Sequence, residues 1–299
     1  MMFRSRTQTV LRGLSPLRGV CSKTGHFLLL FLLAVGTTRA QIRPTRIISV
    51  VPAATEILFA LGAGPRVVAV SSFDHEPPDV NQLPRVGALM DPDVERILSL
   101  KPDLIVIYGS QHDLAQQMSR AGIPQFAFVH GGLSDILTTI TALGERADAR
   151  QAANRLVASI RSQLDAVAGR VAGKPRPRTL IVFGRDPGAL RNLYASGGIG
   201  FLHDMVELAG GADVFADVKR ESVQATSETL IARAPEVIIE IRASDEAAPN
   251  PDDWNALPSI PAVRQHRVVA LVGSELVTAG PRVAAATERM ARAIHPEAF

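Results

Sequence analysis

The stretch ERILSLKPDLIVI (residues 95–107) recurs, without a gap, as ETLIARAPEVIIE (residues 228–240). Each copy opens on a glutamate, Glu95 or Glu228. Each continues as a short helical pattern, places a proline seven residues on (Pro102, Pro235), follows it with an acid (Asp103, Glu236), and closes on branched apolar residues. Chance matches apolar positions readily, but matches glutamate, proline and acid at fixed spacing far less so. A unit this long seen twice implies two related lobes rather than a solenoid. Its last third, a short continuous apolar run, is how a strand buried on both faces of a parallel sheet reads.

The same grammar extends outward in both directions. Strands are expected at Arg46–Val51, Val67–Ser72, Leu104–Tyr108 and Gln125–His130, then at Thr179–Phe183, Val237–Ile241 and Arg267–Val272. Helices fill the gaps at about Ala53–Leu61, Asp93–Leu100, Leu114–Ala121 and Leu133–Arg146, and later at Gly200–Ala209, Glu228–Ala234 and Arg282–Ile294. Strand–helix alternation of this kind gives α/β units with right-handed crossovers. Between the halves, Ala153, Leu156, Val157, Ile160, Leu164, Val167 and Val171 recur at three and four, one apolar stripe of a single long helix. Gly173, Pro175 and Pro177 end it. The expected fold is α/β: two lobes with mostly parallel sheets, residues 41–148 and 174–299, joined by one long backbone helix over 149–173, with a ligand cleft between the lobes.

The first 40 residues are set apart. Arg4, Arg6, Arg12, Arg18, Lys23 and Arg39 stand there with no acid, and the run FLLLFLLAV (residues 27–35) leads to the small-residue end Thr38-Arg39-Ala40. Basic, apolar, then small is the order of a secretory signal peptide, and nine apolar residues fall well short of the roughly 20 that span a bilayer. Six of the 32 basic residues lie here and none of the 29 acidic ones, so the remainder carries 26 against 29, a net charge of −3. The basic pI of 9.4 therefore belongs largely to the signal and is no argument for a nucleic-acid partner. The single cysteine, Cys21, precedes the apolar run, so it is not placed to carry the lipid of a lipoprotein. A soluble periplasmic protein, cleaved near Ala40, is the expectation.

Catalytic readings find little support. There is no G-x-S-x-G elbow, no Walker loop and no H-E-x-x-H. Gly197-Gly198-Ile199-Gly200 before a helix reads as a tight turn, or as an anion cradle. His75, His112, His130, His203, His266 and His295 show no paired ligand spacing, and the metal assignment stays open. Ligands of open α/β sheets bind outside the carboxyl ends of strands. That rule selects His75, His112, His130, Phe73, Asp74 and Tyr108 in the first half, and Arg185, Tyr194 and Arg242 in the second. With aromatics at only 5%, Phe73, Tyr108 and Tyr194 in such places suit a large planar or macrocyclic ligand. Glu95 and Glu228 sit where a helix dipole favours an acid. Their equivalence in two lobes also suits docking on two basic sockets of a two-fold symmetric partner.

From about Arg46 to the C-terminus the chain resembles the binding proteins of ABC importers whose two lobes share one backbone helix and which carry cobalamin, haem, ferric siderophores or metals. The resemblance rests on SVVPAATEILFALGAG (49–64), VVAVSSFDHEPP (67–78), LPRVG (83–87), VERILSLKPDLIV (94–106), ASGGIGFLHDMVELAGG (195–211) and TSETLIARAPEVII (226–239). The first two of these lean toward the cobalamin-binding members. The resemblance implies capture of cobalamin or a related corrinoid, with haem or a ferric siderophore as the alternative cargo. It also implies no catalysis and no resident cofactor, a monomer, modest lobe closure, and a permease dimer with ATPase subunits as partner. It places Phe73, Tyr108 and Tyr194 at aromatic pocket positions, Asp74 and His75 beside them, and the segment Ser274–Thr278, with Ser274, Glu275 and Leu276, in a pocket loop ahead of Gly280-Pro281-Arg282. Glu95 and Glu228 fall on the glutamates that meet permease arginines. Leu89 and Ser222 stand where cobalamin-binding members have tryptophan, and Glu275 replaces an aromatic. The lone tryptophan, Trp254, lies in a proline-bounded loop. A periplasmic enzyme or a sensor's receptor is the reading of another class.

Overall fold

A computed structural model describes residues 43–244 and 250–299; the segment read as an export signal lies outside them. The first lobe runs β1 (Ile47–Ser49), α1 (Pro52–Ala60), β2 (Val67–Val70), α2 (Val94–Ser99), β3 (Leu104–Tyr108), α3 (His112–Arg120), β4 (Gln125–Phe128) and α4 (Leu133–Arg146). Its sheet has the order β2-β1-β3-β4, every pair parallel. Helix α5 (Arg150–Val171) follows. The second lobe runs β5 (Arg178–Gly184), β6 (Leu193–Ser196), α6 (Phe201–Leu208), β7 (Ala212–Asp213), β8 (Ser222–Ala225), α7 (Ser227–Arg233), β9 (Val237–Arg242), α8 (Pro261–Arg264), β10 (Val268–Val272) and α9 (Val283–Ile294). Its sheet has the order β10-β9-β5-β6-β8, with β7 alongside β5; β6 and β8 run antiparallel.

The unit shared by residues 95–107 and 228–240 is a structural repeat in detail. Asp93 caps α2 by accepting from the Arg96 N–H at 2.9 Å, and Thr226 caps α7 by accepting from the Thr229 N–H at 3.2 Å. Both helices bury the residue two after the glutamate, Ile97 and Leu230. The residue before each proline turns left-handed, Lys101 at φ 47° and Ala234 at φ 46°. The acid after it then ties down the start of a neighbouring strand: Asp103 accepts from the Thr45 and Arg46 N–H groups, and Glu236 from the Arg178 N–H. Glu95 and Glu228 are left exposed in the first turns of α2 and α7.

Helix α5 spans about 33 Å at 1.5 Å per residue. It buries Ala153, Val157, Ile160, Leu164, Val167 and Val171, the stripe expected less Leu156, which is half-buried. It packs on α4 of the first lobe and on α6 and α9 of the second, so one apolar cluster runs through both. Close crossing of α4 and α5 requires Gly144, because a Cβ there would lie 2.4 Å from that of Ala153. A second cluster fills the far face of the second sheet around Leu180, Phe215 and Trp254. Trp254 is fully buried, so it is a core residue.

The sequence reading missed β6 and β8. Both are four-residue strands at the antiparallel side of the second sheet, with exposed positions alternating or interspersed among buried ones. One face looks to solvent, so neither presents the continuous apolar run of a doubly covered strand.

Candidate functional site

The carboxyl ends of the first sheet's parallel strands open on the second lobe. Pro52 and Ala53 follow β1, Phe73 and His75 follow β2, Tyr108 ends β3, and His130 lies two residues past β4. With Ala243, Ser274, Val277, Thr278 and Ala279 of the second lobe, and with Glu56 and Glu76, they enclose a cavity of about 340 Å³. A second cavity of about 370 Å³ is lined by Phe183, Ile199, Gly200, Phe201, Leu202, Glu221 and Ser222. His130 and Val277 line both, so the two are adjoining parts of one interlobe cleft.

The loop that presents Phe73 and His75 is built from within. Asp74 Oδ2 accepts from the Ser71 N–H at 2.8 Å, Ser71 Oγ accepts from the Phe73 N–H at 3.0 Å, and Arg85 donates to the carbonyls of Ser71 and Asp74. Asp74 is fully buried and its Oδ1 has no hydrogen-bond partner among the described residues. Burial pushes its carboxyl up to about 6, against the opposing pull of Thr55, Ser71 and Arg85. The expectation that Asp74 contacts ligand is therefore corrected: it shapes the loop from beneath. Burial, and then the nearby Asp74, raise the Tyr108 phenol above its ordinary value, which keeps it protonated.

The lobes are pinned together beside this cavity. Arg282 donates to both Glu56 oxygens, Nε at 2.8 Å and Nη2 at 2.7 Å, and also to Ser274 Oγ at 2.9 Å. Glu56 belongs to α1 of the first lobe; Arg282 precedes α9 of the second. Glu275 is held by Arg282 and Arg289, so it is an ion-pair partner rather than a pocket surface. Leu276 is fully buried, and the loop offers Ser274, Val277, Thr278 and Ala279 instead. A second tie lies by the other cavity. Asp204 Oδ2, from α6, accepts from the Leu133 N–H at 2.8 Å and so caps α4 from the opposite lobe.

The remaining candidates divide. Phe73, His75, Tyr108 and Ser274 line the cleft. Tyr194 lines neither cavity, but its ring stacks at 6.5 Å on Phe183, which does. His112 begins α3 and lines neither. Arg185 is buried against Glu240 and Asp253, at 2.5 and 2.8 Å, and is structural. Arg242 is half-buried and donates to its neighbour's carbonyl. Gly197 and Gly198 spend their N–H groups on the carbonyls of Glu221 and Val218, and a Cβ on either would lie about 2 Å from a backbone oxygen; they form a tight turn, not an anion cradle. Glu56 and Glu221 escaped the sequence reading. Of these, only Glu56 carried a signal, a lone acid within the apolar run PAATEILFA (residues 52–60).

No lysine or arginine lines either cavity among the described residues. Arg282 lines a further cavity of about 360 Å³ that shares Glu56 and Glu76 with the first, and there it is committed to Glu56. The segment 245–249 that follows Ala243 has no basic residue in its sequence. The charges that do line the cleft are Glu56, Glu76 and Glu221.

The sequence pattern of the family described as periplasmic binding protein matches residues 47–274. An uncharacterized ABC transporter substrate-binding lipoprotein of Bacillus subtilis is 31% identical over 86% of this chain and 82% of its own length. A vitamin B12-binding protein of Yersinia pestis is 30% identical over 76% and 77%. Among solved structures, the periplasmic heme-binding protein RhuT of Roseiflexus in apo form superposes with a TM-score of 0.73 at 26% identity, over 85% of this chain and 99% of that one.

Proposed function

This chain belongs to the periplasmic binding protein family, and on that premise we propose that it captures cobalamin or a related corrinoid in the interlobe cleft and delivers it to a membrane permease dimer with ATPase subunits. The cleft's charge carries this reading. The rim of a corrin ring bears uncharged amide side chains, which the hydroxyls, backbone and apolar surface of the cleft can meet. A haem brings two carboxylates, and catecholate siderophores are more anionic still. Buried anions need paired cations; no lysine or arginine lines either of the two cavities among the described residues, and Arg282, which lines the adjoining one at Glu56 and Glu76, is already paired with Glu56. Phe73, Tyr108 and the Tyr194–Phe183 pair supply flat surface; the loss of tryptophan at Leu89 and Ser222 leaves that surface smaller.

Glu95 and Glu228 are the proposed docking pair, each exposed at the same point of the repeated unit. Delivery in the periplasm follows the family, and no helix among the described residues is long and apolar enough to cross a membrane. The Bacillus subtilis relative is a lipoprotein. Here Cys21 precedes the apolar run, which supports release after cleavage near Ala40. Calorimetric titration of the mature protein with cyanocobalamin tests the reading. Saturable binding is expected; no heat at micromolar ligand, with a Soret shift on haem addition, would transfer the function to the haem alternative.

A further inference from the structure

Among the described residues, His130 is the one side chain that lines both halves of the cleft and also carries a potential metal donor. Its ring is held on two sides. It stacks on Tyr108 with centroids 5.6 Å apart and planes at 19°, and meets the buried Phe128 edge-on at 5.3 Å. The chain beyond it is equally fixed. The Gly132 N–H donates to Asp135 and the Leu133 N–H to Asp204 of the other lobe. A Cβ on Gly131 or Gly132 would lie 2.2 Å from those same carboxylates. Neither imidazole nitrogen has a hydrogen-bond partner among the described residues. The histidine is thus oriented by packing while its chemistry is left unused, as a preorganised ligand requires. The other candidates lack that combination: the Tyr108 phenol is kept protonated, Glu56 is paired, and His75 has no ring contact among the described residues.

We propose that His130 is an axial metal ligand for the cargo, replacing an exchangeable ligand on the cobalt of a bound corrinoid; this rests on the corrinoid reading above. Imidazole is a good donor to such metals. In the step with an aquo-corrinoid the Co–O bond to water breaks, a Co–N bond to the neutral imidazole forms, and water leaves; cobalt stays Co(III). The second ring nitrogen then remains to donate to an amide carbonyl at the edge of the macrocycle. The cleft would select corrinoids with a labile face over those capped by cyanide.

The test is a spectroscopic titration of the mature protein with aquocobalamin and, separately, cyanocobalamin. Aquocobalamin should show a shift of its near-ultraviolet corrin band on binding, and cyanocobalamin none. In His130→Ala the shift should vanish and aquocobalamin affinity fall by about tenfold or more, the scale on which groups around a metal act. Cyanocobalamin affinity should fall much less than aquocobalamin affinity in this variant, and a melting temperature and circular dichroism spectrum matching wild type report that it is folded. His112→Ala should behave as wild type. A shift that survives His130→Ala, or one lost in His75→Ala instead, overturns the assignment while the corrinoid reading stands. Failure of both corrinoids to bind the wild type overturns both.

Discussion

Replacing Arg282 with methionine removes the guanidinium that spans the lobes and keeps most of its apolar stem. Glu56, 7% exposed, would then hold a carboxylate with neither of its two charged hydrogen bonds. Stripping one partner from a buried pair costs about 3–5 kcal/mol. The Arg282 side chain is 34% exposed, so water already screens part of this pair and can reach the gap, and about 2 kcal/mol is the expected loss. For a chain of this size that lowers the melting temperature by about 4–8 °C. Glu56→Gln is the milder change, about 1 kcal/mol, because an amide oxygen still accepts from Arg282. The double variant Glu56→Gln/Arg282→Met should lose less than the sum, because no buried charge is left unpaired. Urea unfolding followed by circular dichroism reads all three. Arg282→Met costing less than about 0.5 kcal/mol, or no more than Glu56→Gln, would refute the idea that this pair ties the lobes. Two separated transitions already in the wild type would refute it as well, because the shared core and tie require cooperative loss.

Two further outcomes follow from the same geometry. Asp74 has a folded-state carboxyl raised from 3.8 to about 6, so its contribution to stability is present below pH 3.8 and is lost as pH rises to about 6. At neutral pH the ionised group costs about 3 kcal/mol, and Asp74→Asn should gain part of that. Melting curves of the two proteins should converge near pH 4 and separate by pH 7; a gap that is constant with pH would sink the assignment. Charge reversal at Glu95 and Glu228 together should abolish cargo uptake by cells while leaving the calorimetric affinity unchanged, with each single reversal intermediate. A parallel fall in affinity would make these glutamates part of the cleft or the fold.

The parts of this molecule that obey a repeating physical rule were legible in the sequence. Doubly buried strands such as LIVIY and VIIEI admit little but branched apolar residues, and the stripe of α5 follows its 3.6-residue period. The first run is β3 residue for residue, the second lies within β9, and α5 buries the stripe less Leu156. Strand-end geometry brought Phe73, His75, Tyr108 and His130 to one place because the Cα trace alone dictates it. It failed for Asp74, Glu275 and Leu276 because position along a loop does not say which way a side chain points. In a tight loop neighbours point opposite ways, so Asp74 goes inward between exposed Phe73 and His75. The ion pairs were out of reach for another reason. Glu56–Arg282 joins residues 226 apart in sequence, and Asp204–Leu133 joins residues 71 apart. Neither local propensity nor periodicity carries information about a partner at that distance.

Those two long-range contacts bear on how the cleft works. Each lies at the wall of one cavity: Glu56 lines the first, and Asp204 belongs to the helix whose first turn lines the second. Together with α5, which is packed into both cores, they connect the lobes at three places. A wide hinge opening would expose the carboxylate of Glu56, uncap α4 and strip apolar surface from α5 at the same moment. Modest lobe closure is therefore expected, with affinity coming from a surface already in place rather than from contacts made by closing. On such a surface a single oriented donor has more influence than it would in a mobile cleft, because no closure is available to compensate for its loss. His130 stands three residues before the point where Asp204 crosses between lobes, so the tie that limits motion also anchors the backbone next to the side chain proposed to meet the metal.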